Sequence, residues 1–196
     1  MQYASIDIEG TGLDTTVCNI VEIGIVLDDL QNKKPIKELP TFHAYISRKK
    51  YNGEPYALSM HPTIFQRIGL YQKYGRDHED IAGYTFLTPQ KLAVTMKKFF
   101  VKNGYELKRD KIVFNVAGKN FNGYDKQMLI NDIPDFTRHI TIRARDLDPA
   151  ILFYEEGDKT LPSLSKCLER ANLNPKVSHT ALEDAFQVVE LIRKKL

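Results

Sequence analysis

Two acidic side chains, Asp7 and Glu9, stand two residues apart near the start of the chain. The residues around them are small or apolar and predict a β-strand, on which side chains two apart project from the same face. Two carboxylates on one face repel each other and lose hydration, and a divalent cation bound between them makes such a pair favourable. The spacing therefore points to a metal site, with a solvated strand face that carries two charges as the alternative.

The three residues after this pair are Gly10, Thr11 and Gly12. Small residues allow a backbone N–H group to approach a phosphate or a nucleotide closely, so the segment is a candidate for substrate contact. An ordinary tight turn between two strands is the alternative that the composition leaves open.

Two further acids and a histidine stand near the starts of predicted helices. Asp125 follows a predicted strand and lies early in a predicted helix, while Asp184 lies on the last helix, five residues after His179. Each has an ordinary explanation when taken alone, because an acid in the first turn stabilises the helix dipole and a loop histidine is commonly a surface residue. These residues gain meaning only as a set, through their order along the chain.

Three segments of the chain together resemble the sequence blocks of the DEDD exonucleases. They are Asp7-Ile8-Glu9-Gly10-Thr11-Gly12-Leu13, Asn120-Phe121-Asn122-Gly123-Tyr124-Asp125 and His179-Thr180-Ala181-Leu182-Glu183-Asp184-Ala185, which follow the family's order. The histidine branch of that family has His five residues before its last Asp, whereas the tyrosine branch has Tyr four before it. With His179 and Thr180 at these positions, the chain resembles the histidine branch.

This resemblance implies a ribonuclease H-like fold and the removal of nucleotides from a nucleic-acid 3′ end with two divalent metal ions, Mg²⁺ or Mn²⁺. The positions that match the family's metal ligands are Asp7, Glu9, Asp125 and Asp184. His179 matches the general base that takes a proton from the attacking water, and a neutral imidazole near pH 7 suits that task.

The resemblance also suggests which residues contact the 3′ nucleotide. Candidates on one side of it are Thr11, Gly12 and Leu13, and Asn120 of the second block is a further one. Candidates for the opposite wall are Met60, His61 and Phe65; alternatively, Leu58, Met60 and Phe65 form the core face of a helix. The basic run Arg48-Lys49-Lys50 is a candidate for phosphates further along the strand, or else a solvated loop.

Two positions depart from the family's pattern. Gly10 stands where many members have Thr after the Glu, so no side-chain contact is carried over to that position. Asn120 stands five residues before Asp125, whereas some members place the Asn four before.

The elements that must position these residues alternate between strands and helices, which predicts an α/β domain over residues 1–196 with a central mixed five-stranded sheet flanked by helices. Predicted strands cover residues 3–9, 20–27, 41–47, 111–116 and 141–145. Predicted helices lie near residues 58–70, from Pro89 to about Gly104, over 122–131 and from Thr180 to the end.

Composition excludes several classes of protein. With 42% hydrophobic and 27% charged residues, the chain is typical of a folded globular protein rather than a disordered or collagen-like one. Asp7 and Glu9 do not fit a signal peptide, and the sequence lacks a long uncharged apolar run, so we expect a cytoplasmic protein that stays off the membrane. Cys18 and Cys167 are expected to be reduced thiols, and the net charge of +3 permits a nucleic-acid partner without implying one.

The favoured hypothesis is therefore a metal-dependent 3′–5′ exonuclease that releases mononucleotides, with single-stranded DNA as the preferred substrate class. An exoribonuclease with the same site is one alternative, because the 2′-OH is distinguished by a few groove contacts that the sequence does not locate. A catalytically silent nucleic-acid-binding module on the same fold is another. The oligomeric state is left open.

The assignment of His179 as the base predicts that His179→Ala lowers kcat by about 10²–10⁴-fold, while divalent metal binding is retained. Steady-state kinetics on a 3′-ended oligonucleotide, beside a metal titration of the same variant, measure the two effects separately. Turnover close to that of the wild type would contradict the assignment.

Overall fold

The structure is a computed structural model that describes residues 1–176 and 180–196. Seven strands lie within these residues: β1 (Gln2–Gly10), β2 (Ile20–Asp29), β3 (Thr41–Ile46), β4 (Phe86–Leu87), β5 (Leu107–Lys108), β6 (Lys111–Ala117) and β7 (Ile140–Leu147). The same residues form eight α-helices: α1 (Pro55–Met60), α2 (Pro62–Tyr74), α3 (Pro89–Lys102), α4 (Asp125–Asp132), α5 (Phe136–His139), α6 (Pro149–Leu152), α7 (Leu164–Arg170) and α8 (Ala181–Lys195).

All seven of these strands belong to one mixed sheet, in which β4, β3, β2, β1 and β6 lie side by side in that order. β2 is antiparallel to both β1 and β3, whereas β6 runs parallel to β1 and β4 parallel to β3. β6 pairs in parallel with β7 along its other edge, and the short β5 pairs with its start. Because of these directions, β1, β3, β4, β6 and β7 all end at one edge of the sheet, which we call the carboxyl edge.

The predicted α/β class is confirmed, and each of the five predicted strands is present. The expected number of five strands is wrong, because the sheet also contains β4 and β5, which are two residues long. Strands this short leave no period-two pattern in a sequence, so the pattern predicted only the longer ones.

Two predicted helices differ from the observed ones at their boundaries. Residues 58–70 fall in two helices, α1 and α2, which meet at His61 because the ring of Pro62 cannot continue the first helix. The helix predicted over residues 122–131 begins at Asp125, because the Asn120 carbonyl accepts hydrogen bonds from the N–H groups of Gly123 and Tyr124 and closes a turn before it.

Both cysteines are free and buried, and Cys167 lies on α7. Among the helices described, none combines the length and the apolar composition that a membrane span requires.

The helices cover both faces of the sheet, and β1 contributes alternate residues to each side. Ala4, Ile6 and Ile8 pack into the larger core with α3 and α4, while Tyr3 packs with the apolar face of α8. Asp7 and Glu9 are four and six residues after Tyr3 on the same strand, so their side chains share its face of the sheet, which α8 covers.

Polar contacts fix α8 on the sheet along its length. At its first residue, the Ala181 N–H donates to Glu22 Oε2 at 3.2 Å, and one turn later the Ala185 carbonyl accepts from Ser5 Oγ at 2.8 Å. Near its end, Arg193 donates two hydrogen bonds to the carboxylate of the buried Asp28. These contacts set both the position and the rotation of the helix.

Gly24 lets α8 approach the sheet closely at the point where the site lies. It pairs with Asp7 across β1 and β2, and a Cβ at this position would collide with the backbone of Ala181 and Leu182. Because the colliding atoms are backbone rather than the tip of a flexible side chain, the helix itself would have to move.

Gly24→Ala is therefore expected to lower the free energy of unfolding by about 1–3 kcal/mol, the usual cost of overpacking. The matched control is Gly69→Ala in α2, where an added Cβ has no neighbour within 4 Å and the change is expected to stabilise by about 0.5–1 kcal/mol. Urea unfolding of both variants measures the two effects, and a Gly24→Ala variant as stable as the wild type would show that the close approach of α8 is not required.

Candidate active site

Three carboxylates from two elements that are distant in sequence lie together at the carboxyl edge. Ligand oxygens of Asp7 and Glu9 on β1 and of Asp184 on α8 lie within 4.8 Å of one another. Asp184 is 6% exposed, and Asp7 and Glu9 are half-buried. The shared face of Asp7 and Glu9 follows from the strand period, and Asp184 joins them because α8 is held over that face.

Asp125, the first residue of α4, lies beside this group rather than inside it. Its Oδ1 accepts a hydrogen bond from the Ile8 N–H at 3.1 Å, between Asp7 and Glu9 along the strand. The pairing of β1 with β6 covers Ala4 and Ser5, so this part of the strand edge extends past β6 and Asp125 takes the place of a partner strand. The side chain is 5% exposed.

Burial and mutual repulsion make these acids reluctant to ionise. Burial, with the charges of Asp125 and Glu9, holds the pKa of Asp7 well above its usual range. Burial and the charges of Glu22 and Asp184 raise the pKa of Glu9 to about 8. Burial also raises the pKa of Asp125, although its hydrogen bond from Ile8 acts in the opposite direction.

Glu22 is a fifth acid at this site, and sequence reasoning missed it. It pairs with Glu9 across β1 and β2 and is fully buried. Its Oε1 lies 2.5 Å from His43 Nε2, and its Oε2 accepts from Ala181. The available signal was a single charged residue within the apolar run of β2, and its hydrogen bonds identify it as a support for the first turn of α8.

The three candidates for the opposite wall of the nucleotide site differ in exposure and in packing. His61, 7% exposed, brings its Nε2 to 3.6 Å from Glu9 Oε2 and so reaches the acidic group. Met60 is 43% exposed at the end of α1. Phe65 packs edge-on against Tyr51, with ring centroids 5.2 Å apart, and belongs to a separate apolar cluster around Tyr45 and Ile64.

The loop after β1 is held by hydrogen bonds to the segment after β3. Thr11 is fully buried, and its hydroxyl donates to the Asn52 carbonyl while it accepts from the Asn19 N–H. The Leu13 N–H donates to Glu54 Oε1 at 3.1 Å, and Leu13 is 79% exposed. Of the residues proposed on this side of the nucleotide, Leu13 therefore presents the most accessible surface.

The side chain of Tyr124 lies against Gly10. Its hydroxyl fills the space that a side chain at Gly10 would need and donates to the Gly12 carbonyl at 2.8 Å. A side chain at position 10 would therefore require Tyr124 to move. Asn120 lies in the turn before α4 with φ at 56°, and its N–H donates to Asp148 Oδ2.

His179, the predicted base, lies outside the described residues. The described chain resumes at Thr180, one residue before α8 and four before Asp184.

Comparison with protein-family models gives no match to the chain, and comparison with curated proteins gives none either.

The raised pKa of Glu9 predicts how stability depends on pH and on metal. Between the usual value of 4.5 and about 8 the folded state binds more protons than the unfolded one, so this contribution to stability falls as pH rises through that window. A divalent cation replaces those protons, and Mn²⁺ at about 100 times its Kd is expected to raise Tm by about 5–10 °C at pH 8 and by less at pH 5.5.

Thermal unfolding with Mn²⁺ or with EDTA measures this difference. Asp7→Asn should abolish the Mn²⁺ response, whereas the matched control Asp77→Asn, on an exposed loop, should keep it. Equal Mn²⁺ responses in the wild type and Asp7→Asn would contradict a metal site at these carboxylates.

Proposed function

We propose that this protein is a metal-dependent 3′–5′ exonuclease with a ribonuclease H-like fold, akin to the histidine branch of the DEDD exonucleases. The observation that carries the proposal is the gathering of Asp7, Glu9 and Asp184, with Asp125 beside them, from three elements of the chain. These are the four acids that match the family's metal ligands in the sequence. The mixed sheet with helices on both faces is compatible with such a fold.

The donor set suits hard divalent cations such as Mg²⁺ or Mn²⁺. All its members are carboxylates, the ligand type that these ions prefer. Within the described residues, neither Asp7 nor Glu9 forms an ion pair with a lysine or an arginine, and the basic side chain that approaches Glu9 is His61, at 3.6 Å. Burial and the charges of the neighbouring acids raise the pKa of both groups, so a bound cation would favour their ionised forms.

Divalent ions bound by Asp7, Glu9, Asp125 and Asp184 would supply positive charge to the phosphoryl oxygens and lower the pKa of water. The protein supplies the rest. Leu13 and Met60 offer exposed apolar surface for the terminal nucleotide, and the buried His61 adds a polar group beside Glu9. His179 accepts the proton of the attacking water, the role given to it by the resemblance.

The test uses 5′-labelled single-stranded DNA, single-stranded RNA and duplex DNA, each with Mg²⁺ or Mn²⁺. We expect a ladder that shortens from the 3′ end, stops on addition of EDTA, and is absent when the terminal nucleotide is inverted to remove the 3′ end. Asp184→Asn should lower kcat by about 10²–10⁴-fold, since metal ions supply several kcal/mol of transition-state stabilisation.

Asp77→Asn is the matched control and should cleave as the wild type does. Binding of the oligonucleotides without any cleavage would replace the proposal with a silent binding module. Cleavage that continues in Asp184→Asn would place the activity elsewhere or in a contaminant.

A further inference from the structure

A basic groove lies at the carboxyl edge, the edge of the sheet that also carries the candidate active site. It is a cavity of about 770 Å³ between the segment that follows β3 and the start of α3, and none of its lining residues is acidic. The lining residues that bear on its chemistry are Arg48, Lys49, Lys50, Gln72, Thr88 and Gln90.

The backbone of this segment is held in place through Arg48. The guanidinium of Arg48 donates to both oxygens of Asp132, at 2.9 and 2.6 Å. The Arg48 N–H donates to the Tyr51 hydroxyl, and the Arg48 carbonyl accepts from Gln72 Nε2. Arg48 is therefore a structural anchor whose charge is already paired, and it fixes the point from which the next two residues project.

Lys49 and Lys50 differ from Arg48 in their exposure and in their lack of charged partners. Both are exposed, and within the described chain neither makes an ion pair or a side-chain hydrogen bond. Two adjacent positive charges on a well-anchored segment therefore have no ion-pair partner among the described residues. The first turn of α3 contributes the positive end of a 14-residue helix to the same cavity.

The topology places this groove and the acidic group at the same edge of the sheet. β3 and β4 end at the same edge as β1, so the residues that follow them lie at the edge where Asp7 and Glu9 lie. β2 lies between β1 and β3, so the axes of β1 and β3 are roughly 10 Å apart at the usual strand spacing. The groove and the site are also linked directly, because Asn52 of the same segment accepts from the Thr11 hydroxyl.

We propose that this groove binds the phosphodiester backbone of a nucleic-acid strand, a few nucleotides to the 5′ side of the nucleotide in the acidic site, with Lys49 and Lys50 as its phosphate contacts. The inference rests on the proposed exonuclease function for its choice of partner. Binding of the strand in this groove explains why unpaired positive charge lies at this edge of the sheet. The strand extends away from a site that is itself negative.

The test is the salt dependence of binding by the Lys49→Ala/Lys50→Ala double variant, in an Asp184→Asn background to suppress cleavage. A 5′-fluorescein-labelled single-stranded DNA of about 20 nucleotides and a labelled dinucleotide are titrated with Mg²⁺ over a range of salt. For the long strand, the slope of log Kd against log salt should fall by about 1.4, as expected for two lost phosphate contacts on a single strand. The dinucleotide, too short to reach the groove, should bind without change.

The matched control is Lys33→Ala/Lys34→Ala, which removes the same charge from another adjacent pair of exposed lysines. Lys33 and Lys34 follow β2, so they lie at the opposite edge of the sheet. This variant should keep the slope of the parent protein.

The outcomes separate the two proposals. If the slope falls only in the Lys49/Lys50 variant but the wild type cleaves nothing, the groove is supported and the exonuclease function is not. If the wild type cleaves and the two double variants have equal slopes, the groove is overturned while the function stands. Failure of the parent protein to bind the long strand overturns the groove as well.

Discussion

The contact between α8 and the sheet is the constraint on which the candidate site depends. It brings Asp184 to Asp7 and Glu9, and it is close because Gly24 has no side chain. The cost is the burial of these acids together with their mutual repulsion, which raises the pKa of Glu9 from 4.5 to about 8, a difference of a few kcal/mol. Val188, Val189 and Ile192 of α8 pack in one cluster with Tyr3 and Val26 of the sheet, and at roughly 1.5–3 kcal/mol each they offset that cost. The hydrophobic face of one helix thus holds together a group of charges that would otherwise separate.

A second network joins the site to its surroundings. Asp132, the last residue of α4, accepts from Asn19 and the Ile20 N–H as well as from Arg48. The end of the loop after β1, the segment after β3 and the helix that starts with Asp125 therefore meet at one carboxylate. Because Asp132 binds these three parts at once, the acidic group and the basic groove are positioned relative to each other by the same hydrogen bonds.

The sequence predicted those features of the structure that depend on a pattern among neighbouring residues. The period of two predicted that Asp7 and Glu9 share a face, and the alternation of elements predicted the α/β class. It was uninformative where the answer depends on a partner from elsewhere in the chain. Glu22 is recognisable as a support only once α8 lies over it, and Gly10 is explained only by the hydroxyl of Tyr124. β4 forms because β3 is beside it, and its two residues alone carry no strand pattern.

The central claim is that Asp7, Glu9 and Asp184 hold a divalent cation, and anomalous diffraction from a crystal grown with Mn²⁺ tests it most directly. We expect a manganese peak bonded to carboxylate oxygens of all three residues. A peak confined to other acids, or the absence of a peak among these three carboxylates at saturating Mn²⁺, would contradict it.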